Sequence, residues 1–221
     1  MFKRKKEGNI IVLSGPSGSG KTSISKYITS RNSNIVESVS ITTREKRVGE
    51  TDGVDYYFIS KEEFTKRITN DEFLEYAIYG DNYYGTPKEN VYNLIKKGID
   101  VILVIEIEGA LKIKELVEDA IFIFVLPPSI SELKRRLVDR NTETKSSLYK
   151  RFQRIYKELN EITKYNYVVI NDEVELASKK VEAIIESEKC RVDRIEDFDL
   201  NSVEEEIHEY LVELEWKKCC I

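Results

Sequence analysis

Ile10-Ile11-Val12-Leu13-Ser14-Gly15-Pro16-Ser17-Gly18-Ser19-Gly20-Lys21-Thr22 is the stretch on which the fold turns. Its first part is an apolar run of strand type, and its second has glycine, any four residues, glycine, lysine and threonine. Behind it Ile24, Tyr27 and Ile28 recur at helical spacing. In a strand, glycine loop and helix of this kind, backbone N–H groups and the positive end of the helix converge on phosphate oxygens. Gly15, Gly18 and Gly20 let the backbone approach the phosphates. Pro16, Ser17 and Ser19 complete the cradle, Lys21 adds a mobile cation, and the Thr22 hydroxyl suits Mg²⁺. The stretch predicts a bound nucleoside triphosphate and leaves its acceptor open.

Outward from the loop, 221 residues predict one domain with inserted parts, and 41% hydrophobic with 34% charged residues predict a globular chain. Thirty-five basic against 40 acidic residues, a net charge of −5, argue against broad nucleic-acid or membrane binding. The early apolar run is too short for a signal-peptide core and no run is long enough to span a bilayer, so a cytoplasmic location is expected. Cys190, Cys219 and Cys220 lack zinc-site spacing and are expected to be free thiols, and the ending at Ile221 does not form a prenylation box. His208 stands alone, as an ordinary surface residue.

Along the chain, 35–41 reads as a strand, 42–50 as a cationic loop and 56–59 as a short strand. Ser60 with Glu63 forms a capping box for a helix to about 70, and 73–79 is strand-like. Thr86, Pro87 and Glu89 read as N-cap, first helical residue and reciprocal cap of a helix ending near Gly98. Residues 40–93 therefore look like a small lobe inserted in an alternating α/β frame. The frame resumes at 101–105, a strand buried on both faces, with Glu106 and Glu108 at its carboxyl end and a helix from about 110 to 117. A strand at 121–126 ends at Pro127-Pro128, and Ser129 with Glu132 caps the next helix. Residues 134–154 are helical, arginine-rich and broken near 141–145, which suits a flap. A last strand at 167–170 and a helix at 174–188 close the frame. Residues 189–221 form an acidic helical extension, with Ser202 and Glu205 as a capping box and an apolar face through Val203, Ile207, Tyr210, Leu211 and Leu214 that is expected to pack on the chain's own core.

The acceptor has to be read from the lobe. Arg44 and Arg47, three apart among hydroxyls and tyrosines, suit a second phosphate, because a guanidinium fork pairs bidentately with phosphate oxygens. A buried carboxylate such as Glu75 suits guanine, whose N1–H and exocyclic amine are adjacent donors. Singly, each residue reads equally well as a solvated charge, a surface strand residue or a core aromatic.

Together these residues resemble the guanylate kinase family over about residues 8–188. The resemblance rests on Ser14-Gly15-Pro16-Ser17-Gly18-Ser19-Gly20-Lys21, Val39-Ser40-Ile41-Thr42-Thr43-Arg44, Asn82-Tyr83-Tyr84-Gly85-Thr86-Pro87, Pro127-Pro128-Ser129 and Asn171-Asp172. It implies an α/β fold: a P-loop NTPase-type parallel sheet flanked by helices, with a nucleoside-monophosphate-binding lobe (40–93) and a helical lid (134–160) in a domain of 1–188. It further implies phosphoryl transfer from ATP to GMP, with dGMP as a further acceptor and Mg²⁺ accompanying the ATP. Arg44, Arg47, Tyr56 and Tyr84 would then bind the GMP phosphate, Ser40, Glu75 and Thr86 would read guanine, and Glu106 would lie on the same nucleotide. Lys21, Arg136 and Arg151, with Arg140, would hold the ATP phosphates and the transferring group, and Asn171 would lie near adenine. Lys21, Arg44, Arg136 and Arg151 form the implied catalytic set. The resemblance leaves monomer and homodimer open.

One departure stands out. The family usually carries two acids, spaced two apart, at the end of the central strand, where this chain has Val104 and Glu106, and Glu108 stands where a glutamine is typical. Strand alternation would put Val104, Glu106 and Glu108 on one face, so that Glu108 could replace the missing acid. Val104 keeps open a paralogue acting on another phosphorylated acceptor. A noncatalytic protein-binding module is the other alternative, and Lys21 with Thr22 speaks against it.

Overall fold

The computed structural model describes residues 3–4, 7–138, 145–196 and 200–219. In chain order the elements are β1 (Lys3–Arg4), β2 (Ile10–Ser14), α1 (Lys21–Thr29), β3 (Ile35–Glu37), β4 (Ile41–Thr42), β5 (Tyr57–Phe58), α2 (Lys61–Thr69) and β6 (Phe73–Tyr79). They continue with β7 (Asn82–Pro87), α3 (Lys88–Lys96), β8 (Asp100–Val104), α4 (Ile107–Leu116), β9 (Ile121–Leu126) and α5 (Ile130–Val138). The remainder is α6 (Lys145–Asn160), β10 (Tyr167–Ile170), α7 (Val174–Glu188), β11 (Ile195–Glu196) and α8 (Leu200–Cys219).

The chain divides into two compact units, Lys6–Glu188 and a second made of Met1–Lys5 with Lys189–Ile221. In the second, β1 and β11 pair antiparallel. Its helix α8 already begins at Leu200, which puts Ser202 inside the helix and not at its N-cap. Ile207, Tyr210 and Leu211 of α8 are exposed.

The large unit is built on a parallel sheet of order β10-β9-β2-β8-β3. From β2 the chain moves to β3 and β8 on one side and then to β9 and β10 on the other. The order therefore reverses at β2, and such a switch point leaves a crevice at the strand's carboxyl end. Alternate side chains of β2 feed two cores. Ile11 and Leu13 pack with Ile24 and Ile28 of α1 and Val181 and Ile185 of α7. Ile10 and Val12 pack with Val91 and Ile95 of α3 and Ala110 and Ile113 of α4. Burial on both faces explains the unbroken apolar runs of β2, β8 and β9.

A four-stranded sheet, β5-β4-β7-β6, forms the inserted lobe around Ile41, Phe64 and Phe73. The Phe64 and Phe73 rings stack at 4.4 Å. The run at 35–41 is thus two strands: β3 pairs with β8 in the parallel sheet, and β4 pairs with β5 and β7 in the lobe. An apolar run carries no signal for a change of sheet partway along it.

The Ser60 and Ser129 hydroxyls accept from the Glu63 and Glu132 N–H groups at 3.1 and 3.0 Å, as N-caps do. The cap at Thr86 does not form: α3 starts at Lys88 behind Pro87, with no side-chain cap bond. Thr86 ends in β7 opposite Glu75, where its hydroxyl has a different partner. Among the described residues no helix is long and apolar enough to cross a membrane.

Candidate active site

The loop after β2 reaches α1 through Gly20, the helix N-cap, at φ 97°. A glycine cap has no side chain to accept from the first turn, so those N–H groups point into the loop. The Lys21 ammonium curls back over the same loop, donating to the Gly15 and Pro16 carbonyls at 2.6 and 3.2 Å. Thr22 follows, exposed. Tight contacts fix the loop on its outer side: a Cβ on Gly15 would lie 2.3 Å from the Val125 carbonyl oxygen, and one on Gly20 would lie 2.0 Å from Asn171 Nδ2.

Asn171 is 2% exposed. Its Nδ2 donates to the Ser19 carbonyl at 2.8 Å, and its N–H donates to the Leu126 carbonyl at 2.7 Å, so it ties the ends of β9 and β10 to the phosphate loop. Arg136 reaches the same place from α5. Its Nη2 donates to the Asn171 carbonyl at 3.2 Å, its Nε donates to Glu132 Oε1 at 2.8 Å, and its Nη1 is 4.0 Å from where a Gly20 Cβ would be. Arg135 pairs with the same Glu132 carboxylate, and together they pull that carboxyl down to about 2, Arg135 contributing first. Glu132 is one helical turn before Arg136, a spacing visible in the sequence. Its partner choice emerges only with α5 packed on the loop through Leu133 and Leu137.

In the lobe, Arg44 is held end-on by Glu50: Nη1 donates to Oε2 at 3.0 Å and Nη2 to Oε1 at 2.8 Å. Its guanidinium carbon lies 5.4 Å from the Tyr56 ring and 5.6 Å from the Phe58 ring. Tyr84 meets Tyr56 edge-on at 6.0 Å. The pairing with Arg44 holds the Glu50 carboxyl below its ordinary range, and burial raises the Tyr56 phenol, with Glu106 among the smaller contributors. The fork is thus held in an aromatic slot by Glu50. Arg47 donates its backbone N–H to Glu50 at 2.8 Å while the residue itself is exposed. Ser40, half-buried, leads into β4.

Glu75 and Thr86 are cross-strand neighbours, and the Thr86 hydroxyl donates to Glu75 Oε1 at 2.7 Å. The ladder slips between Phe73 and Glu75, so Phe73 and Tyr76, an odd number apart, both line the lobe's cluster. Leu74 joins the core of the parallel sheet instead, and Glu75 is 7% exposed. Burial raises the Glu75 carboxyl above its ordinary range, opposed by the Thr86 bond and by Lys112.

The strand-face reading of the acidic positions is overturned. β8 ends at Val104, whose partner Leu13 is the last residue of β2 in register with it. Beyond that point the chain leaves the sheet. Glu106 is extended (φ −75°, ψ 160°) and caps α4, and Glu108 is on the first helical turn, exposed. Glu108 therefore does not share a strand face with Val104, and α4 begins three residues before the sequence pattern starts it. Glu106, half-buried at a helix N-terminus that favours negative charge, is the acid at the end of β8.

The loop residues, Arg136 and Asn171 thus form one cluster, Arg44, Tyr56 and Tyr84 a second, and Glu75 with Thr86 a third. Arg140 lies outside the described residues, as does the side chain of Arg151 within α6.

The family model described as guanylate kinase matches residues 7–188. The chain is 54% identical over 209 residues to the guanylate kinase of Clostridium perfringens (strain SM101 / Type A), covering 94% of this chain and 96% of that protein. It is 55% identical over 206 residues to that of Clostridium tetani, covering 93% and 98%. Among solved structures, guanylate kinase from Anaplasma phagocytophilum superposes with a TM-score of 0.73 at 33% identity, over 90% of this chain and 94% of that one.

Proposed function

Because the chain belongs to the guanylate kinase family, we propose that it moves the γ-phosphoryl group of ATP to GMP, and to dGMP, releasing ADP and the nucleoside diphosphate. The observation that carries the choice of acceptor is the buried Glu75 carboxylate bonded to Thr86, in the lobe that also holds the Arg44 fork. A carboxylate accepts the adjacent N1–H and amine of guanine, and adenine offers no such pair.

In this reading the first-turn N–H groups of α1 and Lys21 hold the β- and γ-phosphates. Arg136, kept at the loop by Glu132 and the Asn171 carbonyl, faces the transferring group, with Arg140 and Arg151 joining it. Arg44, in its slot with Tyr56 and Tyr84, and Arg47 hold the acceptor phosphate, while Ser40, Glu75, Thr86 and Glu106 orient the base. An oxygen of that phosphate forms the new bond to the γ-phosphorus in line as the bond to the β–γ bridging oxygen breaks, and ADP leaves with the electron pair. The attacking oxygen is already anionic, so the step requires no strong base. Cations placed around the equatorial oxygens stabilise the charge there.

Among the described residues no group of three His, Cys, Asp or Glu is arranged to hold a metal. The Thr22 hydroxyl, exposed at the start of α1, is a hard oxygen donor that fits Mg²⁺ carried in on nucleotide phosphates with water completing its shell. When bound, Mg²⁺ supplies charge neutralisation on the phosphate oxygens. The substrates are water-soluble nucleotides, which suits a cytoplasmic enzyme.

The test is coupled ADP release with GMP, dGMP, AMP and UMP offered in turn. Guanine acceptors should dominate, and equal rates across bases would rule the assignment out. The raised Glu75 carboxyl adds a pH signature. Guanine's donors bind the ionised form, so the KM for GMP should fall as pH rises toward that raised pKa and level off above it. Glu75→Gln should remove that part of the profile and leave the KM for ATP alone. The same shift has a stability sign. The folded chain holds a proton that the unfolded chain has lost, so stability declines as pH rises from the ordinary carboxylate range through the folded pKa.

A further inference from the structure

Gly109 lies in the first turn of α4, in regular helix and not among the positive-φ glycines. Its backbone is therefore one that alanine adopts more readily than glycine. What alanine would meet there is the Glu75 carboxylate, which would have to shift. A Cβ on Gly109 would be 2.4 Å from Glu75 Oε2, 3.0 Å from its Cδ and 3.6 Å from its Cγ. The first atom struck is the carboxylate oxygen opposite the one that Thr86 bonds.

The contact joins two parts of the fold. Glu75 is on β6 of the lobe, and α4 follows directly on the central strand β8. One turn along α4 from Glu108, the Lys112 ammonium donates to the Tyr76 carbonyl and lies 4.8 Å from the Tyr76 ring. The helix thus grips the backbone next to Glu75 at Lys112 and leaves room for the carboxylate at Gly109. Movement away from an added methyl is opposed on both sides: Lys112 and the packing of Leu74 hold the strand, and the Thr86 hydroxyl holds the other oxygen.

We propose that Gly109 is a positioning residue for base recognition: the absent side chain sets where the Glu75 carboxylate sits against α4, and so sets its reach to the N1–H and exocyclic amine of the acceptor base. This rests on the reading of Glu75 given above. An added methyl displaces the carboxylate from one or both donors, and the loss falls on the acceptor nucleotide alone.

The test is steady-state kinetics of the full chain carrying Gly109→Ala, with GMP and IMP as acceptors, since IMP keeps N1–H and lacks the amine. The KM for GMP should rise by about tenfold, the scale of one hydrogen bond to a charged group, and the preference for GMP over IMP should shrink by a similar factor. The KM for ATP should stay within about twofold of its original value. A general loss of structure would move ATP and both acceptors together. On a Glu75→Gln background, Gly109→Ala should add less than its single-variant effect, because the two act through one group. Unchanged GMP kinetics and an unchanged GMP to IMP ratio in Gly109→Ala would overturn the inference. Unchanged GMP kinetics in Glu75→Gln alone would instead overturn the guanine-reading role. If Gly109→Ala does not fold, the pair Gly109→Ala with Glu75→Ala must, because the struck carboxylate is gone; a double variant that also fails to fold overturns the proposal.

Discussion

Lys21→Ala should lower kcat/KM for the forward reaction by about a thousandfold, the scale on which single charge-stabilising donors act in phosphoryl and acyl transfer. Lys21 is the cation within reach of the loop's own carbonyls, 2.6 Å from that of Gly15, and its four-carbon stem lets the ammonium follow phosphate charge as it shifts toward ADP. The side chain starts at the first residue of α1, where alanine is the best helix former, so the helix itself has no reason to unravel. Activity should therefore collapse while the melting temperature moves little, and differential scanning calorimetry beside the ADP-release assay separates the two. Turnover near the original level would remove the catalytic assignment altogether.

Gly20→Ala, by contrast, should strike stability and activity at once. At φ 97° an L-residue is strained by about 1–2 kcal/mol. The added Cβ also meets Asn171 Nδ2 at 2.0 Å, and displacing that buried amide breaks its bond to the Ser19 carbonyl, which costs about 1–3 kcal/mol more. The sum, about 2–5 kcal/mol, corresponds to a drop in melting temperature of roughly 5–15 °C for a chain of this size. Gly80→Ala is the control. Its φ is 61°, yet a Cβ there would meet nothing within 4 Å, so it should lose only the conformational part. If Gly20→Ala melts with Gly80→Ala, the contact with Asn171 contributes nothing. Because the Asn171 carbonyl also holds Arg136, the KM for ATP and kcat should both worsen in Gly20→Ala.

Several elements could be read from residues alone because their signals are local. The strand, glycine loop and helix at 10–29 follow from apolar period and glycine placement, and the Ser60 and Ser129 caps follow from a hydroxyl three residues before a glutamate. The errors share a cause. Thr86 has the local credentials of a cap, yet its hydroxyl goes to Glu75, eleven residues away in sequence and directly across the ladder. The face shared by Val104, Glu106 and Glu108 assumed a strand that continues, whereas β8 loses its partner once β2 turns into the phosphate loop. The run at 35–41 changes sheets partway, which hydropathy cannot record. Gly109 was inconspicuous for the same reason: it is a glycine before an expected helix, and it acquires meaning from a side chain that the fold delivers to it. The pairing of Glu50 with Arg44 likewise emerges only when the loop folds.

By itself the sequence determined the strand, glycine loop and helix at the carboxyl end of a central parallel strand, because glycine spacing and apolar periodicity act over a few residues and need no partner. Only the tertiary structure decided how the proposed acceptor side is arranged: Arg44 paired with Glu50, Glu75 turned to Thr86 and α4 beside a slipped ladder, with Gly109 next to its carboxylate, and one acid, Glu106, at the end of β8. Those outcomes depend on which segments meet across the fold, and the packing of strands and helices, not the spacing of residues along the chain, sets that.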